Sequence, residues 1–198
     1  SECPSFGVMY LADSGAGAAA FANLDDFGAI SIVTHGTLLA EGQVCLMTGE
    51  VASLANTLWW YWDLYGAAPT MTLLSHGGVK YLSVKASFIT KYNHNFPNSM
   101  IYVCACQGMK NATLHTALRG AGAGYVAGYD ETVGVTYANG VTFAFWENVL
   151  VDGDTAGEAH DNVTPLTDPG HLHANFVDFG NMALTFGSDL NNGDFEQG

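Results

Sequence analysis

The sequence predicts an α/β fold built on a mainly parallel sheet flanked by helices. Three observations lead there. Short, uncharged, partly β-branched runs at 29–33 and 101–103 read as strands buried on both faces, as the strands of a parallel sheet are. Helix-length segments closed by glycine lie between such runs, so strand and helix alternate. The 198 residues are 48% hydrophobic and 12% charged, enough for a full core and suited to one domain over 1–190.

Taken in order, residues 6–12 (Phe-Gly-Val-Met-Tyr-Leu-Ala) read as a first strand, 13–17 as a turn, and 18–27 as a helix that Gly28 stops. Residues 29–33 form the second strand and run directly into Thr34-His35-Gly36-Thr37. Strand, helix and strand in that order make a right-handed βαβ unit, which leaves His35 at a C-terminal strand end. Residues 44–48 are a further strand closed by Gly49, and 52–65 an aromatic-rich helix. Its Trp59, Trp60 and Trp62 belong either to the core or to a patch against a neighbouring module. Residues 71–74 and 79–84 flank Ser75-His76-Gly77-Gly78 and make a small β-hairpin insertion. A short helix at 86–92 and a polar loop at 93–99 lead into the strand before Cys104-Ala105-Cys106. Beyond it come a helix at 112–119, a strand at 123–129 with Asp130 and Glu131 at its tip, an amphipathic helix at 141–150, a helical turn at 155–160 and closing strands within 174–186.

Cysteine at the tip of a parallel strand faces the crevice where such sheets bind ligands. Cys104 and Cys106 share one side of an extended chain, but Cys106 sits where the chain leaves the sheet, so it is the candidate nucleophile and Cys104 a packing residue. Free cysteines are also ordinary small core hydrophobes, and the stretch alone favours that plainer role. A thiol becomes reactive beside an imidazole, and His35 supplies one from a second strand tip. The backbone amides of Gly36 and Cys106 are candidate donors to the oxyanion of an acyl intermediate, with glycine leaving room for close approach.

Charge narrows the partners. Five Lys+Arg against 19 Asp+Glu give a formal net charge of −14, which repels nucleic acid and anionic membranes. No apolar run is long enough to span a bilayer, so no membrane insertion is expected. Cationic or neutral partners fit this charge better, and the sequence leaves oligomeric state open. Four cysteines are too few for a disulfide scaffold, although a Cys3–Cys45 bridge stays open.

The pair of apolar strand with Thr-His-Gly36 and apolar strand with Ala-Cys106 resembles the caspase-like cysteine peptidases. The stretches 27–36, 96–106, 117–127 and 182–187 run in that family's order and are most similar to its gingipain-like and CHAT-like bacterial branches. The resemblance implies a three-layer caspase-like fold, a thiol protease with His35 as base and Cys106 as nucleophile, and peptide hydrolysis through a thioester. His76 follows an apolar run too, in a second Ser-His-Gly, and is the alternative base. Choosing His35 implies a first family strand upstream of Ser1. Relatives that cleave after basic residues carry an acid in the substrate pocket; Cys104 occupies one such place here, and Asp130 or Glu131 is the substitute. Residues 191–198 (Asn-Asn-Gly-Asp-Phe-Glu-Gln-Gly) are similar to the opening of β-sandwich modules of secreted bacterial proteins, or else form a polar tail, which suggests a module of a larger extracellular or cell-surface protein. A catalytically inactive interaction module of the same fold is the competing possibility.

No cofactor and no metal site are expected. His171 and His173 with His160 or Asp168 match no standard zinc spacing. Asp152-Gly153-Asp154 and the stretch 189–194 contain only parts of a calcium loop, so structural Ca²⁺ is the one ion they could hold.

Overall fold

Strand β1 (Ala29–Val33) pairs in parallel with β2 (Met100–Cys104), which pairs in parallel with β3 (Tyr125–Tyr129). The computed structural model describes residues 9–170 and 173–186. β4 (Phe176–Gly180) adds antiparallel to β3, giving a mixed, mostly parallel sheet in the order β1-β2-β3-β4. Every residue of β2 and β3 is buried, which accounts for their unbroken apolar sequence.

Two layers of helix cover this sheet. Ile30, Ile32, Ile101, Val103 and Val126 point to one side and pack with Leu114 and Leu118 of helix α1 (Ala112–Gly120) and Phe88 and Ile89 of α2 (Ala86–Tyr92). The alternate residues Met100, Tyr102, Tyr125 and Tyr129 point the other way, onto Val141 and Phe145 of α3 (Val135–Glu147) and Ala156 and Ala159 of α4 (Ala156–Asp161). The result is a three-layer α/β arrangement. Caps fix the helix starts: the Asn111 side chain accepts from the Thr113 amide at 3.0 Å, and Thr155 with Glu158 forms a capping box.

A second sheet stands beside the first. It is antiparallel, made of β5 (Gly36–Leu38), β6 (Val44–Val51), β7 (Met71–His76) and β8 (Val79–Lys85) in the order β5-β6-β8-β7. The expected hairpin insertion is therefore half of a four-stranded sheet, because 36–38 and a longer 44–51 pair with it. Gly49 does not end its strand; a Cβ there would lie on the Asp13 carbonyl, so the glycine admits a chain crossing.

Several expectations are corrected. Residues 9–12 are exposed and irregular, so the first strand is absent among the described residues of 6–12 and the βαβ unit does not form from it; 6–8 lie outside the described residues. The helix expected at 18–27 is a single α-turn over Ala18–Phe21 followed by a 3-10 turn at Leu24–Asp26. The aromatic helix breaks at Trp60 into Leu54–Trp59 and Tyr61–Tyr65. Trp59 and Trp62 are 82% and 76% exposed and take no part in the core, whereas Trp60 packs on Phe88 and Tyr92. The helix expected at 141–150 starts earlier, at Val135, where the buried Asp168 carboxylate accepts from the Gly134 amide at 2.7 Å and complements the helix dipole. Only one closing strand forms within the described part of 174–186. Residues 191–198 lie outside the described residues.

One buried acid ties the second sheet to α2. Asp63, 5% exposed, accepts hydrogen bonds from Thr70 Oγ1 at 2.5 Å, Lys91 Nζ at 2.7 Å and Tyr92 OH at 2.8 Å. Burial alone would raise its pKa, but the bonds from Lys91, Thr70 and Tyr92 outweigh it and hold the carboxyl below the ordinary range. Asp63→Asn is expected to cost about 1–3 kcal/mol at neutral pH, through misplaced buried donors more than lost attraction to the half-exposed Lys91. A carboxyl lowered by folding stabilises fully above its unfolded pKa, and the benefit vanishes as pH falls through the folded value. Urea midpoints of both proteins should thus converge in acid; a constant gap would refute this account.

Candidate active site

The β1–β2 register brings the two predicted groups to one sheet edge. Val33 pairs with Cys104, and the Thr34 amide donates to the Cys104 carbonyl at 3.0 Å. His35 and Cys106 therefore each stand two residues past the last paired rung, on adjacent parallel strands. The approach is close: a Cβ built on Gly36 would lie 2.5 Å from the Cys106 carbonyl oxygen and 3.0 Å from the Ala105 Cβ. Only glycine fits there without displacing the cysteine loop.

The backbone around Cys106 is pinned from several sides. Gln107 has φ of +57°, its amide donates to the Glu131 carbonyl at 3.0 Å, and its Oε1 accepts from the Leu38 amide at 3.0 Å. The Met109 amide donates to the Tyr129 carbonyl at 2.8 Å, and the Gly108 amide to the Ala105 carbonyl at 3.2 Å. On the histidine side, the His35 carbonyl accepts from the Met47 amide at 2.8 Å. By strand alternation the Gly36 amide then points away from β6, to the side on which Leu38 meets Gln107.

The two residues stand on adjacent strand tips, but imidazole and thiol are not hydrogen-bonded to each other. The half-buried Cys106 Sγ donates to the Val133 carbonyl at 3.9 Å, and among the described residues it has no hydrogen bond with a histidine. Such bonds often tighten only with substrate bound. The His35 ring instead meets His76, with ring centroids 4.2 Å apart and a 31° tilt. Partial burial, together with the charge His76 can carry, lowers the His35 pKa from its ordinary value. The ring thus stays an unprotonated acceptor into more acidic conditions than an isolated histidine. His76 was visible in the sequence as a rival base; its contact with His35 was not.

Cys104 and Cys45 are held out of reach. Cys104 is buried beside Tyr102, and burial raises its thiol pKa; Cys45 is fully buried and pushed up to about 12. Cys45 is a free thiol. Cys3 lies outside the described residues. Iodoacetamide at pH 7 on the native protein is expected to label Cys106 well before Cys104 or Cys45, with peptide mapping as the measurement. Equal labelling of the three would contradict this arrangement.

Both candidate specificity acids sit beside the cysteine loop and both are engaged. Asp130 accepts from the Asn175 amide at 2.7 Å and from Asn175 Nδ2 at 2.8 Å, while Glu131 forms an ion pair with Lys110. A groove between α1 and α2, lined by Ser87, Thr90, Asn93, Thr113 and Thr116, includes none of His35, His76 and Cys106. His35 is exposed and Cys106 half-buried at their strand ends.

The residues weighed for metal do not converge: no group of three or more His, Cys, Asp or Glu side chains fit to hold an ion is found among the described residues. His160 contacts the Phe176 carbonyl and Asp161, each at 3.0 Å, and Asp168 accepts from the amides of Gly134 and Gly170. Asp154 accepts from Asn162 Nδ2 at 2.7 Å, and Asp152 is exposed. His171 and 189–194 lie outside the described residues. No helix of the described residues is long and apolar enough to cross a membrane. Comparison of the chain with protein-family models, with curated proteins and with solved structures finds no match.

Proposed function

We propose that the chain is a cysteine endopeptidase domain of the caspase-like kind, acting on peptide or protein substrates. The observation that carries this is the level register of His35 and Cys106 at the tips of β1 and β2. In this reading His35 takes the Cys106 proton as the sulfur attacks the scissile carbonyl. The amides of Gly36 and Cys106 donate to the oxyanion, the leaving amine takes the proton from His35, and a thioester remains. Water, activated by the same imidazole, then releases the acid and restores the thiol.

The solvent-facing His35 beside the half-buried Cys106 suits a substrate that is itself a chain. Asp130 and Glu131 remain the proposed contacts for a basic substrate side chain, which would have to compete with Asn175 and Lys110. An extracellular or cell-surface setting, within a larger bacterial protein, belongs to the same proposal and rests on the 191–198 stretch. No metal or other cofactor takes part in this chemistry.

The resting bond from Cys106 to Val133 favours one other reading, an inactive platform that binds partners through the same edge. A mixed fluorogenic peptide library separates the two. Cleavage by the unmodified protein that disappears in Cys106→Ala supports the peptidase; no cleavage, with Cys106 alkylated no faster than Cys104, supports the platform.

A further inference from the structure

The turn joining β7 to β8 is Gly77-Gly78, with φ of +57° and +80°. Two positive φ values match the tight turn that suits the twist of a hairpin, and nothing lies within 4 Å of a Cβ built at either position. The turn therefore projects free of the body, carrying His76 at the end of β7. That strand lies at the far side of its sheet from β5, with β6 and β8 between. Strand pairing alone does not bring His76 to the residue just before β5, yet the rings of His76 and His35 meet at 4.2 Å.

We propose that His76 is a positioning residue for His35: the β7–β8 hairpin carries its ring onto the His35 imidazole and holds that imidazole at the edge shared with the Cys106 loop. This rests on the peptidase reading, because it assigns a role in presenting the base. A free imidazole on a strand tip samples several rotamers, and a ring packed against it restricts it.

The groups around His35 can be named element by element. The hairpin contributes His76, with Lys80 paired to Ser75 one residue below it. The loop after β2 contributes the Cys106 thiol and the neutral Gln107, and β6 presents Leu46, Met47 and Thr48 at the level of Gly36. The charge acting on the His35 pKa is that of His76, beside the larger effect of partial burial.

NMR of histidine-labelled protein carrying Cys106→Ala tests this without reference to turnover. The His35 titration midpoint is followed with His76 present, with His76→Phe and with His76→Ala. The midpoint is expected to rise in both substituted proteins, because the neighbouring charge is gone. With Cys106 restored, iodoacetamide labelling of that thiol is expected to slow on the order of threefold or more in His76→Ala, with Phe recovering part of the rate because a ring remains. An unmoved midpoint together with unchanged labelling in both variants overturns the proposal. If no protein, including the unsubstituted one, cleaves peptides while the midpoint still moves, the peptidase reading fails and the role of His76 toward His35 stands.

Discussion

His35→Ala, with Cys106 intact, is expected to lower kcat/KM on the best library peptide by about 10²–10⁴-fold. Stability should barely change. The residue is exposed, and its structural bond is made by its carbonyl to the Met47 amide, which alanine keeps. Cys106→Ala is expected to reduce turnover to background, and the double substitution to do no further harm, because nucleophile and base act as one unit. Additive losses would mean that the two residues work separately. Initial rates across pH, with urea midpoints as the folding control, are the measurements.

Gly36→Ala is the next largest effect, and it couples packing to chemistry. The added methyl would meet the Cys106 carbonyl oxygen at 2.5 Å, the Ala105 Cβ at 3.0 Å and Leu46 Cδ2 at 3.4 Å. The nearest of these is backbone, so no side-chain rotation relieves the clash. Either β5 leaves β6 or the cysteine loop moves outward. Overpacking of this kind costs about 1–3 kcal/mol, and a displacement of about 1 Å at a reacting group costs on the order of 10²-fold in rate. Gly120→Ala is the control: its Cβ position is empty and it lies at the end of α1, so it should leave the rate unchanged and be neutral or mildly stabilising. Wild-type kinetics and stability in Gly36→Ala would show that the close approach at this edge is unimportant.

How much of this was legible in the sequence depends on how local the signal is. Strand β1 and helix α2 fall where the residue pattern puts them, and β2 extends one residue at each end, because each is a continuous apolar or amphipathic run with sharp boundaries. The start of α3 was hidden: Val-Thr-Tyr-Ala-Asn-Gly mixes β-branched residues with glycine, and its start is stabilised by the Asp168 carboxylate from far along the chain. Pairing of 36–38 with 44–51, and of both with the hairpin, is a long-range choice that no local period encodes. Where the sequence left core and surface patch open for the tryptophans, Trp59 and Trp62 are exposed and only Trp60 packs inward, since aromatic content signals burial only on average.

The site divides the same way. Placement of His35 and Cys106 on adjacent tips followed from two strand ends, whereas the His35–His76 contact is a long-range meeting of the hairpin with the end of β1 that no local pattern encodes. Likewise Asp130 and Glu131 were found as acids at a strand tip, but their engagement with Asn175 and Lys110 is tertiary.

The most direct measurement of the central claim is the rate of Cys106 alkylation by iodoacetamide at mildly acidic pH, compared between the unsubstituted protein and His35→Ala. If the imidazole at one strand tip draws the proton from the thiol at the next, removing it slows labelling about tenfold or more. Superimposable rates in the two proteins would contradict the account.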